Sequence, residues 1–415
     1  MGRNGLRVRI IGGGTGGLCL AQGLKRDDVE VFERDRTPTG GLEGYRLSIS
    51  TTGRRALEAC LPDRLFHKLV ANCAKPSDSV TFLDHHLNRL LALDLPHADR
   101  EDPEGELPIS RITLRSLLSE GLGEAIHYDK KCVAFRDDPR GAVTADFEDG
   151  SSTTGDVLVG ADGASSHLRT QLIPHARRVD TGIVAVSGKL GLGDEVRRAT
   201  PPPILHGPTL ILGPNGCFMF GSAVDYDDAT DNIGGHDREK YIMWGFSARE
   251  ETLDLPAPPA TTGGPDAIAS VRELMDDWHP ALQWLVQAAD VATVTAFAVK
   301  TSVPIEPWAT RKVTLLGDAL HNMTPFRGIG ANTALRDAAT LRQALVAVAR
   351  GEADLIPALA AYERDMIRYG FSAVQSSLRD MERFHATGLL ARTATKTFFR
   401  AIDHVPPLKG VFLGR

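Results

Sequence analysis

The hydrophobic positions of the chain fall into stretches of different rhythm. From Arg7 a short β-branched segment, Val8, Ile10 and Ile11, runs into glycines 12, 13, 14, 16 and 17 and then into a helix-forming run from Leu18 to Lys25. A second short apolar segment, Val29, Val31 and Phe32, follows, so the pattern predicts strand, tight turn, helix, strand. Glycines 40, 41 and 44 mark a further turn, residues 45–50 alternate toward a strand, and 52–60 read as a helix. Residues 80–83 are strand-like and 96–106 form a polar loop. Ile112, Leu114, Leu117 and Leu118 then make one face of a short helix, with Arg111 and Arg115 four apart on the other. Residues 126–135 and 142–147 predict two hairpin strands joined at DDPRG. The run Val157, Leu158, Val159 has the continuous apolar character of a buried parallel strand.

From about residue 177 the rhythm changes. Segments 182–189, 210–220, 240–247 and 291–299 are β-prone and separated by polar or proline-rich loops, with one helix over 270–289. This predicts a largely antiparallel sheet. The alternation of strand and helix returns with a strand over 313–316 and a helix over 331–349, and Leu359, Tyr362, Met366 and Tyr369 repeat at the spacing of a long amphipathic helix. The expected architecture is therefore α/β: a Rossmann-like nucleotide domain, discontinuous over 1–176 and 301–350, an inserted β-sheet substrate domain over 177–300, and a C-terminal helical segment over 351–415.

Composition narrows the class of function more than the fold. With 415 residues the chain can bury a substantial core, and its formal charge of -6 with scattered Lys and Arg offers no basic stripe for nucleic acid. Cysteines 19, 60, 73, 132 and 217 are odd in number and widely spaced, which predicts reduced core thiols and neither a disulfide framework nor a metal site. His, Asp and Glu do not recur at ligand spacing, so no metal is expected. No charged-then-apolar leader precedes the first strand and no apolar run approaches membrane-spanning length, so the expectation is a cytoplasmic protein without a membrane span.

The glycines carry the chemistry. Gly12 allows the turn after the first strand, Gly14, with Thr15 after it, lets the backbone close on a pyrophosphate, and Gly17 lets helix and strand pack, while the helix N-terminus offers unpaired N–H groups to an anion. Glu33 lies about 20 residues past the first glycine, where an acid accepts hydrogen bonds from a ribose hydroxyl. Two more predicted strands end in glycine and an acid, at Gly160 to Gly163 around Asp162, and at Gly317 and Asp318. Strand ends on one edge of an open α/β sheet converge on one ligand. A nicotinamide nucleotide would not need the third; an extended cofactor with a sugar alcohol beyond its pyrophosphate would. Asp318 could hold its hydroxyls, and the helix from about Gly330 could point its positive end at an electron-rich ring, as in FAD.

GGGTGG with Glu33, VGADGASSHLR, and LLGDALHNMTPFRGIGANTALRDA together resemble the three signatures of the single-component FAD-dependent monooxygenases, the para-hydroxybenzoate hydroxylase-like aromatic hydroxylases. The resemblance implies FAD as cofactor and NAD(P)H as co-substrate, with O2 activated as a flavin C4a-hydroperoxide and one oxygen passed to an apolar aromatic or polyketide-like molecule of secondary metabolism by hydroxylation or epoxidation. It implies that Glu33, with Arg34 beside it, meets the adenosine ribose, that Arg111 supports the phosphate and ribose region, and that Asp162 and Gly163 lie where FAD and NAD(P)H contacts meet. It also implies that Asp318 holds the ribityl chain, that Pro325 sits beside the flavin at the site of oxygen reaction, and that Gly328, Gly330, Ala331 and Asn332 present backbone N–H groups to the ring. Arg46 resembles an arginine near the flavin and the pyridine nucleotide.

Phe218, Phe220, Trp244, Phe246 and Phe297 alternate with small or polar residues, which predicts one aromatic sheet face walling a dry pocket. His321 reads as a residue that orders its loop, and His206, His236 and Asp225 as exposed loop residues. The rival functions are a flavin-dependent halogenase, against which the chain has no WxWxIP segment, an isoprenoid reductase, and a flavoprotein that sequesters a small molecule without turnover. The amphipathic C-terminal helix could close the pocket or pair with a second copy, so a monomer or a homodimer is expected.

Overall fold

The structure is a computed structural model and describes residues 5–25, 28–38, 45–95, 102, 104–138, 141–226 and 238–405. Gly40, Gly41, Gly44 and His236, most of the loop 96–103 and the tip of the DDPRG turn lie outside the described residues.

Seventeen described strands form four sheets. The first contains β1 (Arg7–Ile11), β2 (Asp28–Phe32), β7 (Ile126–His127), β11 (Val157–Gly160) and β17 (Val313–Leu315), all parallel, in the order β17-β11-β1-β2-β7. Val8, Ile10, Val31, Val157 and Val313 are fully buried, as both-face coverage by helices requires. The helices Thr15–Gly23 and Gly330–Ala349 pack on one another there. A pair, β3 (Arg46–Ile49) with β6 (Leu107–Ser110), and a three-stranded sheet of β8 (Cys132–Asp137), β9 (Val143–Phe147) and β10 (Ser152–Gly155) complete this half. The segment 126–135, expected as one hairpin strand, is instead divided: Ile126 and His127 join the parallel sheet, and the hairpin begins at Cys132.

The second large sheet runs β16-β12-β15-β14-β13-β4-β5, from β4 (Ser79–Asp84), β5 (Arg89–Asp94), β12 (Arg178–Gly191), β13 (Thr209–Leu212), β14 (Phe218–Val224), β15 (Tyr241–Arg249) and β16 (Thr295–Ser302). It is antiparallel except where β13 pairs with β4, which draws 79–94 into a sheet expected to lie within 177–300. Three further expectations are corrected by turn chemistry. The segment 210–220 is a hairpin, because Pro214, Asn215 at φ 50° and Gly216 reverse the chain. The helix over 270–289 is two helices, Gly264–Glu273 and Pro280–Gln287, the second starting at Pro280, whose missing N–H is tolerated at a first helical position. Residues 291–293 form a helical turn before β16 begins at Thr295.

The five aromatics do not share one face. Trp244 and Phe246 are fully buried with Trp278 and the two short helices on the outer face. Phe218, Phe220 and Phe297 sit on the inner face, and Phe297 is exposed at the edge strand. Strand period decides this: Phe218 pairs with Ser247 and Phe220 with Gly245, positions that alternate with Trp244 and Phe246 and so face the other way. The long helix Leu355–Phe384 then runs from the parallel sheet to the inner face, where Phe384 stacks on Phe218 at 4.9 Å.

Candidate functional site

Because β17, β11 and β1 are neighbours and parallel, their C-terminal ends place Gly317–Asp318, Ala161–Asp162 and Gly12–Gly14 side by side. Sterics explain the first turn. Gly12 has φ +115°, and a Cβ there would lie 2.2 Å from the Ala161 carbonyl oxygen; at Gly17 it would lie 2.1 Å from the Gly12 oxygen. At Gly14 a Cβ would meet nothing within 4 Å, so that backbone faces open space at the start of the helix. A cleft of about 270 Å³ opens here, lined by Gly12, Gly14, Thr15, Glu33, Arg111 and Asp162 among others.

Glu33 is buried, and its Oε2 accepts from the Gly13 N–H at 2.6 Å while Oε1 accepts from the Asp35 N–H at 2.9 Å. The Arg115 guanidinium lies 3.5 Å from Glu33 Oε2 and 3.2 Å from Asp35 Oδ2. Arg111 is exposed on the same helix, so only one of the two arginines faces outward. Arg34 is exposed at the cleft mouth with Lys130 and Lys131 near it.

Asp162 accepts from the His167 N–H through Oδ2 at 2.9 Å, while its buried Oδ1 meets no hydrogen-bond geometry among the described residues. Burial pushes its carboxyl up against the Ser166 hydroxyl and nearby backbone N–H groups. Gly163 follows at φ +74°. Arg169 donates to the Ala164 and Ala319 carbonyls at 3.0 and 2.9 Å, and Arg178 donates to Ala164 O and Asn322 Oδ1 at 3.1 and 2.9 Å. These two arginines join the Asp162 turn to the Asp318 turn. Arg178 carried no signal in the sequence, since it lies in a strand among other charged residues. The Asp318 side chain is exposed on one side but protein crowds its others, and that desolvation pushes its carboxyl up against the pull of His321, Arg111, Asn322 and Arg178.

Beneath Asp318, His321 is fully buried with Nε2 2.7 Å from Asp337 Oδ2. Burial pushes the imidazole down, but Asp337 more than offsets it and raises its pKa. Asp337 also accepts from the Gly317 N–H at 2.7 Å and the Tyr369 hydroxyl at 2.6 Å. His321 therefore orders its loop, and no substrate-facing role falls to it.

Pro325 is exposed, and Gly328 takes the left-handed conformation at φ 63° just before the helix Gly330–Ala349. The N–H groups of Gly330, Ala331 and Asn332 open that helix with no i−4 carbonyl to meet. The Asn332 side chain is engaged: Oδ1 accepts from the Ser50 N–H and Nδ2 donates to Ser48 O, both at 2.9 Å, which pins β3 to the helix start. Arg46 in β3 reaches across to the second sheet, donating to Ser222 Oγ at 2.8 Å and Ser77 Oγ at 2.9 Å, and burial lowers its pKa. His206 is exposed beside Asp78, whereas Asp225 is part-buried among Arg197, Lys75 and Lys240, a correction to its expected exposure.

The residues present fit FAD. Open backbone at Gly14, a buried acid at Glu33, Asp162 and Asp318 at the ends of β11 and β17, and a helix N-terminus past Gly328 supply acceptors and donors. Among the described residues no three His, Cys, Asp or Glu side chains are grouped to hold a metal ion, and no helix is long and apolar enough to cross a membrane.

Residues 249–377 match the family model of an FAD binding domain. The chain is 30% identical over 377 residues to the FAD-dependent monooxygenase dbaB of Emericella nidulans, covering 82% of this chain and 87% of that protein. It is 29% identical over 384 residues to the dual O-methyltransferase/FAD-dependent monooxygenase elcB of Phaeosphaeria nodorum, of which it spans 41%. The chain thus spans less than half the length of elcB and of the two CTB3 relatives of the same dual type. The fold is also that of Klebsiella pneumoniae HpxO solved with FAD and uric acid, with a TM-score of 0.76 at 22% identity over 97% of this chain and 95% of that one.

Proposed function

Given that the chain belongs to the FAD-dependent monooxygenases, we propose that it uses NAD(P)H and O2 to hydroxylate or epoxidise an apolar aromatic or polyketide-like small molecule. The observation that carries the reading is the meeting of three acid-bearing strand ends with the inner face of a second sheet. FAD, when bound, supplies the reduction of O2 and the delivery of one oxygen atom. The chain's own residues bind, orient and exclude water. Glu33 accepts ribose hydroxyls, Asp162 Oδ1 and Asp318 accept from the remaining sugar hydroxyls, and the first N–H groups of Gly330–Ala349 hold negative charge at the ring end. Pro325 and Phe326, with Phe218 and Phe220 opposite, keep the reacting region dry.

The test combines purified protein with NADPH, NADH and candidate phenols, following coenzyme loss, O2 uptake and product mass. The expected product has gained one oxygen atom; coenzyme-dependent turnover to a product without that gain overturns the reading. Asp318→Ala is expected to purify colourless, and retention of FAD at wild-type occupancy would remove Asp318 from the cofactor site.

A further inference from the structure

Gly245 lies in the middle of β15, the third of seven strands, and is nevertheless partly exposed. Glycine inside a strand is destabilising against alanine, so it needs a reason. Two other glycines of this sheet have one in packing: a Cβ at Gly188 would lie 2.8 Å from Val294 and one at Gly221 3.1 Å from Ile204. At Gly245 a Cβ would meet only the Val186 carbonyl oxygen, at 3.9 Å. Neither a positive φ nor a crowded neighbour calls for glycine here.

The register shows what surrounds it. Three rows of inner-face residues cross the sheet: Ala185, Ser247 and Phe218; then Ser187, Gly245 and Phe220; then Lys189, Met243 and Ser222. Phe326 covers the first row, packing on Phe218 at 5.6 Å and against the cluster of Ile183, Ala185, Val299 and Met381. Arg46 covers the third through Ser222. Among the described residues the middle row is left more open, with Ser187, Gly245 and Phe220 all partly exposed. The outer rows are about 13 Å apart along the strands and β12 and β14 are about 10 Å apart across them. The rim differs from side to side. Phe220 and Leu210 are apolar, while Ser187 donates to Tyr45 Oη at 3.1 Å and so keeps an oxygen lone pair to accept from a ligand hydroxyl.

We propose that Gly245 is the floor of the substrate site and sets its depth, and that the site takes a flat phenol of two or more fused rings, apolar edge on Phe220 and hydroxyl on Ser187. This rests on the monooxygenase reading for the word substrate, but its test does not use turnover. FAD-loaded wild type, Gly245→Ala and Gly245→Val are compared in equilibrium dialysis against 2-naphthol and phenol, with thermal midpoints and FAD content measured alongside. Filling the floor is expected to weaken 2-naphthol roughly tenfold or more in Gly245→Val, to a smaller degree in Gly245→Ala, and to leave phenol within about threefold. Ser187→Ala is expected to lose most of the preference for 2-naphthol over naphthalene. The proposal is overturned if a folded, FAD-loaded Gly245→Val binds 2-naphthol as wild type does, if both probes weaken equally, or if wild type takes up no 2-naphthol below its solubility. Should Gly245→Val not fold, Gly245→Ala decides by the same comparison. A probe that binds as expected but gains no oxygen counts against the monooxygenase reading alone.

Discussion

Arg115 is the residue whose environment departs most from its sequence appearance, because it is buried beside Glu33 and Asp35 although its neighbour Arg111 faces out. Removing its charge leaves two carboxylates close together at the edge of the nucleotide cleft. Arg115→Met is expected to cost about 2 kcal/mol in urea unfolding and to raise the dissociation constant for FAD, read by flavin fluorescence. A second buried charge lies outside the cleft. Glu363 on the long helix accepts from the Thr310 hydroxyl at 2.5 Å, and burial pushes its carboxyl up to about 7. A folded-state value above the ordinary 4.5 means that the folded protein binds the proton more tightly than the unfolded chain between those pH values. Its stabilising share is thus complete below about pH 4.5 and is lost as pH rises through about 7. The span corresponds to about 3 kcal/mol. Glu363→Gln is expected to flatten the fall in urea midpoint over that window and to be the more stable protein at pH 8; an unchanged pH profile would contradict the assignment.

At the scale of elements, one carboxylate joins three of them. Asp337, on the helix Gly330–Ala349, takes hydrogen bonds from the Gly317 turn, from His321 and from Tyr369 on the next helix. Gly317, at φ 62°, makes the turn between β17 and the short helix that begins at Asp318. Asp337→Asn replaces one acceptor oxygen by a donor and is expected to lose about 3 kcal/mol and to release FAD more readily. Tyr369→Phe keeps two of the three bonds and is expected to cost about 1 kcal/mol with FAD content intact, measured by thermal unfolding and flavin absorbance. The elements that carry these residues were legible from the sequence, since strand, glycine and acid recur before each turn. Asp337 was not legible: in its sequence it is one polar position on an alanine-rich helix, and only the packing of Tyr369 and His321 around it makes it a hub. Arg178 and Asn322 stayed hidden for the same reason, since they pair with each other across 144 residues.

For the whole molecule, periodicity predicted two layers of sheet, but not which way the second one faces. Alternation along β14 and β15 shows that successive residues point oppositely; it leaves open which neighbours will cover each face. The pairing of Phe218 with Ser247 decides it, sending Trp244 and Phe246 to the helical side and Phe218 and Phe220 toward the nucleotide-binding half. The sequence also placed the sheet wholly after residue 177, whereas a parallel contact between β13 and β4 recruits residues from before the second acid-bearing turn. This two-sided arrangement separates stability from recognition. Phe246 is buried in a core of Trp278 and aliphatic side chains, so Phe246→Ala is expected to cost about 3–5 kcal/mol in unfolding, while the surviving folded protein binds 2-naphthol with wild-type affinity. Phe220 is only part-buried and lines the open row, so Phe220→Leu is expected to move the thermal midpoint little and to weaken 2-naphthol severalfold in dialysis. If the two variants exchanged these effects, the inner face would not be the one that meets the ligand.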